Sequence, residues 1–178
     1  MTRALAFALI LLASGCATAP GPGAPQTVAQ LDLARYAGTW FEVARFPNSF
    51  QDGGDRGCIA TTATYTPRPD GQVGVTNRCL DFAGMPREVE GGAYAVEGSG
   101  NARLRVSFFW PFYGDYWVLG LDPGYRWAVV GAPDRDYLWI LSRTPAMPAG
   151  AYAEAVGIAA AQGFAITRLQ TTPQPAGR

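Results

Sequence analysis

Few side chains in this 178-residue sequence are equipped for chemistry. All 14 basic residues are Arg, and neither Lys nor His occurs anywhere. A Ser-His-Asp or Cys-His nucleophile, a His-ligated metal, a Schiff-base lysine and a P-loop phosphate clamp are therefore unavailable. No catalytic residue set, metal or cofactor is expected. The 14 acidic residues balance the arginines, and without a basic stripe no nucleic-acid partner is expected either. What remains is three cysteines, Cys16, Cys58 and Cys79, and polar groups set among aromatic runs, notably Glu42, Asn77 and Glu90. A thiol is the obvious nucleophile, so the state of Cys58 and Cys79 decides whether covalent chemistry is open.

Cys16 belongs to a different argument. It follows Arg3, the apolar run Ala4 to Ala13 and the small pair Ser14-Gly15. That run is shorter than the roughly 20 residues a membrane-spanning helix needs, so residues 1–15 read as an export signal. Its end resembles a bacterial lipobox, which makes Cys16 the expected lipidated N-terminus. An ordinary cleaved signal is the alternative. By the same resemblance, Ala17 after the Cys directs the protein to the outer membrane. Residues 16–28, rich in Pro, Gly and Ala, read as a flexible tether. One domain follows at 29–170, with a disordered tail at 171–178.

Export exposes Cys58 and Cys79 to oxidising conditions, and a hairpin between them brings its two ends together, so a disulfide is expected. The register raises an obstacle. If Tyr65 faces Val73, Cys79 lies opposite Ile59, and Cys58 points to the other face unless a bulge intervenes. Two free thiols are the alternative.

The elements that must position these residues are mostly strands. Short aromatic and β-branched runs separated by Gly, Pro and Asp clusters predict eight strands at about 38–46, 59–66, 72–79, 87–97, 103–109, 115–121, 127–132 and 137–143. Gln51 to Gly57 is a longer glycine-rich connection, a candidate lid or rim loop. From Pro148 to Gln162 the spacing of Tyr152, Val156 and Ala159 predicts one helix whose apolar stripe needs a surface. The fold class is all-β: an eight-stranded antiparallel up-and-down barrel, closed because closure removes both edges, with a C-terminal α-helix packed on its outside. Such a barrel can hold one small ligand.

The sequence resembles the lipocalins, in particular bacterial outer-membrane lipoproteins of that family and their apolipoprotein D-like relatives. The resemblance rests on Tyr36-Ala37-Gly38-Thr39-Trp40-Phe41-Glu42-Val43-Ala44-Arg45, on Thr62 to Tyr65, on Val106 to Tyr116, on Tyr125 to Val130 and on Asp134 to Pro145. One departure is Trp110, where close bacterial relatives usually carry Gly. The resemblance implies that Gly38, Trp40 and Arg143 close the barrel floor, with the guanidinium on the indole face. It also sets the strand phase: Glu42, Ala44, Ala63, Tyr65, Val73, Val75, Asn77, Glu90, Gly92, Tyr94, Leu104, Val106 and Phe108 are expected to face inward. Tyr116, Val118, Gly120, Ala128, Val130, Tyr137, Trp139 and Leu141 complete that lining.

From it the candidate ligand-binding residues are Glu42, Ala44, Tyr65, Asn77, Phe108, Tyr116, Val118, Val130, Tyr137 and Trp139. Arg45, Arg78 or Arg105 would meet an acidic head group. The implied function is a carrier, lipid-anchored through Cys16 in the bacterial outer membrane and facing the periplasm, that holds one hydrophobic small molecule of the fatty acid or lysophospholipid class. Storage, transport and membrane maintenance all fit, and the oligomeric state is open, a homodimer included. The residues alone indicate only an elongated or flat apolar ligand. Two other readings stand beside it: an enzyme on the same fold using Cys79 as a cavity thiol, and an interaction module with a filled barrel, which exposed Trp residues would favour.

Overall fold

Asp32 caps a single helical turn, α1 (Leu33–Tyr36): its carboxylate accepts from the amides of Ala34 and Arg35 at 2.9 and 3.2 Å. Gly38 then takes φ +90, a conformation a Cβ would strain, and turns the chain into β1 (Gly38–Arg45). The computed structural model describes residues 21–53 and 57–175; the expected signal segment and Cys16 lie outside them. After β1 come a second short turn of helix, α2 (Ser49–Asp52), and the strands β2 (Ile59–Pro67), β3 (Val73–Leu80), β4 (Pro86–Ala95), β5 (Arg103–Phe109), β6 (Phe112–Leu121), β7 (Trp127–Gly131) and β8 (Leu138–Ser142). Helix α3 (Ala149–Ala161) and a short strand β9 (Gln170–Thr171) end the chain.

Each strand pairs antiparallel with the next, and β1 pairs with both β8 and β2, so the sheet closes into an eight-stranded barrel with β9 added. The β1–β2 pairing spans only Gly38 to Phe41. Beyond it the C-terminal segment fills the seam: β9 pairs with Ala44 and Arg45, and the Thr172 amide donates to the Val43 carbonyl at 2.9 Å. The Ala60 amide donates to the Pro173 carbonyl at 2.8 Å, while the Gln174 side-chain amide bridges the carbonyls of Glu42 and Thr61. Residues from Thr171 onward, expected as disordered tail, are therefore ordered as far as the seam extends, because unpaired strand edges offer them partners. The expected flexible tether is likewise laid on the wall from Gly23: Arg135 donates to the Gly23 carbonyl at 2.7 Å, Gln26 and Gln162 exchange two 2.7 Å bonds, and Val28 donates to Val118.

Two apolar layers result. Trp40, Tyr65, Val75, Leu104, Val118, Ala128, Val130 and Leu141 pack inside the barrel. Trp117, Leu119, Trp127, Val129, Leu138 and Ile140 face outward and receive Ala155 and Ala159 of α3. The close approach uses missing side chains: a Cβ on Gly131 would meet Phe164 at 2.7 Å.

Bulges correct two expectations about phase, and the register of β4 corrects a third. The β1–β8 register shifts between Glu42 and Ala44, so Ala44 lies opposite Ile140 in the outer layer and not in the lumen. A shift between Val118 and Gly120 turns Gly120 toward Ile158 of α3. In β4 the face is reversed: Val75 opposes Gly91 and Val106 opposes Ala93, so Glu90, Gly92 and Tyr94 point out. Gly91-Gly92 carries no apolar alternation, which is why the sequence leaves that strand's phase unspecified. The hairpin register also differs from expectation, with Tyr65 opposite Val75. A bulge between Ile59 and Thr62, with Ala60 at φ +53, resolves the geometric obstacle: Cys58 and Cys79 are bonded, their Cα atoms 5.4 Å apart.

The floor converges on Arg143. Its guanidinium carbon sits 3.8 Å from the Trp40 ring centroid, and its nitrogens donate to the carbonyls of Arg35, Tyr36, Thr39 and Tyr125 at 2.8 to 3.3 Å. Burial pulls its pKa down, but the guanidinium stays charged. Replacing Arg143 by Ala is expected to cost about 2–4 kcal/mol in urea unfolding, because several carbonyls lose their donor together with the cation–π contact, and Lys should rescue little of it. The adjacent β6–β7 turn provides a pH test. Asp122 accepts from the amides of Gly124 and Arg126 and from the Arg126 guanidinium, which holds its carboxyl down at about 2. A depressed carboxyl stabilises the fold above its unfolded pKa and loses that contribution as pH falls through the folded value. Asp122→Asn should therefore be less stable than the parent at pH 7, with the difference shrinking from about pH 4 down to about pH 2 in a urea-midpoint series.

Candidate functional site

Strand direction defines two ends. The β2–β3, β4–β5 and β6–β7 connections share the floor with α1 and Arg143, whereas α2 and the β3–β4, β5–β6 and β7–β8 connections surround the other end. The floor is plugged. Trp40 donates through its indole nitrogen to the Tyr36 carbonyl at 2.8 Å, and Tyr36 packs on both Trp40 and Tyr65, with ring centroids 4.7 and 5.3 Å apart. Above the plug three phenols meet: Tyr65 donates to the Tyr116 oxygen at 2.8 Å, and Tyr116 and Tyr36 share a 2.7 Å bond. Burial pushes all three hydroxyls up, Tyr36 and Tyr116 well above the ordinary phenol value, so they are neutral donors and acceptors. Three hydroxyl hydrogens share two bonds in this triad, leaving one O–H for another acceptor.

Exposure rises toward the other end. Val118, Val130 and Leu141 are buried, but the inward-facing Ala63, Asn77, Val89, Val106, Phe108, Tyr116 and Trp139 are only half-buried. A side chain that points into a closed barrel keeps solvent contact only through space inside that barrel. These residues therefore line a lumen that opens at the α2 end. Asn77 Oδ1 is buried there with no hydrogen-bond partner among the described residues. An unmatched acceptor of this kind calls for a donor from water or a ligand.

A polar latch holds the mouth. Gln51 of α2 accepts from the Trp139 indole nitrogen at 3.0 Å and donates to Glu42 Oε2 at 2.7 Å. The other Glu42 oxygen takes 2.6 Å bonds from Arg45 and Thr172. Arg45 also grips Asp52 and donates to the Cys58 carbonyl at 3.2 Å. Burial would lower the Arg45 pKa, but the carboxylates of Asp52 and Glu42 outweigh it and raise it. For Asp52 burial works upward and the Arg45 bond wins, lowering it. Phe50 stacks on Tyr137, which stacks on Trp139, with centroids 5.8 Å apart in both pairs.

Of the sequence-predicted contacts, the structure brings Asn77, Phe108, Tyr116, Tyr137 and Trp139 to the lumen or its mouth. Tyr65, Val118 and Val130 belong to the packed lower core, with Val118 and Val130 at 0% exposure. Glu42 spends both oxygens in the latch, and Ala44 is outside. Arg45 is consumed in the latch, while Arg78 and Arg105 pair outside the barrel with Glu88 and Asp115. An inward-facing arginine that sequence reasoning missed is Arg87, which opposes Cys79 at the mouth end of β4, shares the inner face with Val89 and Gly91, and donates to Cys58 Sγ at 3.7 Å. Its phase depended on the β4 register. Phe50 and Gln51 were missed as well, although the loop they begin was marked as a candidate lid. The bonded Cys58–Cys79 pair removes the cavity thiol that an enzymatic reading required. Two other cavities, of about 430 and 600 Å³, lie on the outer wall beside residues 21–27 and α3 and do not reach the lumen residues.

Comparisons with known proteins agree with this architecture. A lipocalin-like domain family matches residues 31–174. The outer membrane lipoprotein Blc of Escherichia coli is 42% identical over 92% of this chain and 91% of its own length. Temperature-induced lipocalin-1 of Arabidopsis thaliana is 41% identical over 84% of this chain and 82% of its own, and bovine apolipoprotein D 32% over 70% and 67%. Among solved structures, insecticyanin of the tobacco hornworm Manduca sexta superposes with a TM-score of 0.67 at 17% identity, covering 83% of each chain. Lobster apocrustacyanin A1 gives 0.65 at 15%, covering 86% of this chain and 91% of its own. With a plugged floor, a lumen open at one end and these relatives, the chain belongs to the lipocalin family.

Proposed function

We propose that this protein is a membrane-tethered carrier that holds one hydrophobic molecule of the fatty acid or lysophospholipid class in the barrel lumen, for lipid storage, transport or membrane maintenance. The observation that carries the reading is the set of inward-facing apolar and aromatic side chains that stay half-exposed in a closed barrel. An acyl chain lies against Val106, Phe108 and Trp139, and burying it at about 25 cal/mol per Å² supports micromolar binding. Toward the floor, the Tyr116 hydroxyl and Asn77 Oδ1 are the polar groups. No step in this cycle makes or breaks a covalent bond. The relatives named outer membrane lipoproteins support attachment through Cys16 to the outer membrane, on its periplasmic side.

Native mass spectrometry of the protein taken from its own membrane should show a co-purifying lipid; an empty barrel that also refuses fatty acids in titration would sink the proposal. Trp139→Ala and Tyr116→Phe should each weaken binding of a fluorescent fatty acid, Trp139→Ala by about tenfold, or about 1.4 kcal/mol, with Trp40→Ala acting mainly on stability.

A further inference from the structure

The rim of the barrel carries a feature that ligand holding does not need. Apart from Tyr94 and Ile166, every exposed large apolar side chain among the described residues stands at the mouth end. Phe50 is on α2, Phe82 and Met85 are on the β3–β4 hairpin, and Phe109, Trp110 and Phe112 are on the β5–β6 hairpin, with exposures from 57% to 83%. The β5–β6 tip, Phe108 to Gly114, has no charged residue, nor has Phe82 to Met85. Asp81, which precedes that second tip, is turned back, its carboxylate accepting from the amides of Ala83 and Met85 at 2.9 and 2.8 Å.

We infer that this rim docks on a phospholipid surface, with the aromatic tips entering the head-group region and the lumen opening onto the bilayer. Trp110 combines apolar bulk with a polar N–H and favours that depth, the Phe and Met side chains add apolar area, and an uncharged tip carries no ionic desolvation cost into it. Three separate projections around a central opening suit a plane, which meets all of them at once. The chain's own attachment points the same way. The segment on the outer wall reaches the β7–β8 turn, at the mouth end, where Arg135 holds Gly23. From Gly21 back to Cys16 is a span of at most about 17 Å when extended, so a lipid on Cys16 is held within that reach of Gly21. This orientation argument rests on the tethered reading above; the rim chemistry stands without it. The consequence is that an acyl chain can pass between bilayer and lumen without crossing water.

The test uses the full chain carrying Cys16→Ser, so that no acyl anchor contributes, and vesicles of phosphatidylethanolamine and phosphatidylglycerol, some with brominated acyl chains. The parent should co-sediment with vesicles, and the brominated lipid should quench its Trp fluorescence. Trp110→Asp with Phe112→Asp, and independently Met85→Asp on the other hairpin, should lower the partition coefficient by about tenfold or more, whereas Trp110→Phe should keep it and lose most of the quenching. Fluorescent fatty acid titration of the same proteins separates the two proposals: rim variants should bind as the parent does, and loss of binding in the parent itself would count against the carrier reading alone. Vesicle binding that is absent in the parent, or unchanged in both rim variants, overturns the docking proposal. A parent that self-associates, becomes monomeric with the rim variants and ignores vesicles overturns it too, in favour of a second copy as the partner.

Discussion

The stacking of Arg143 on Trp40 is the contact from which the barrel's asymmetry follows. A planar guanidinium can cover an indole face and still send its nitrogens to several carbonyls in different directions, which an ammonium cannot. Those carbonyls belong to α1, to β1 and to the β6–β7 turn, so one side chain ties together the start, the middle and the end of the sheet. Gly38 lies against it in ordinary van der Waals range and at φ +90, where a side chain would strain the backbone. With that end sealed and Tyr36 packed beneath Tyr65 and Tyr116, all interior space belongs to the opposite end.

The same strands serve two apolar layers, and the bulges decide which residue serves which. Without the slip after Glu42, Ala44 would enter the lumen and the outer layer would lose its match with Ile140. The slip before Gly120 opens the wall to Ile158 of α3 in the same way. At the seam, where β1 and β2 diverge, the chain's last ordered residues repair the missing ladder, and Thr172 joins the buried network of Glu42 and Arg45. The mouth is thus held by the Glu42–Arg45 network and the floor by Arg143 on Trp40.

Much of the scaffold was legible before any coordinates. Alternating aromatic and β-branched runs between turn clusters located all eight barrel strands to within a few residues, and the Ala-rich segment located α3. The Trp40 and Arg143 pairing followed from the resemblance to lipocalins. The site was read less fully. Asn77, Phe108, Tyr116 and Trp139 sit on strands with clear alternation, Tyr137 just precedes β8, and all five reached the lumen or its mouth as expected. Ala44 and the β4 residues did not, because a bulge or a pair of glycines erases the period on which such reasoning depends.

What the sequence determined by itself was therefore local: which segments are extended, where they turn, which one is helical, and which chemistry is ruled out by the absence of Lys and His. These are properties of spacing and composition within a few residues. The tertiary structure decided everything set by pairing across the barrel: the face that each β4 side chain presents, the union of Cys58 with Cys79, the capture of Glu42 in the latch and the gathering of apolar tips at one rim. Register couples residues far apart in the chain, and a one-residue shift reverses a whole strand's faces at almost no local cost, so no local pattern can specify it.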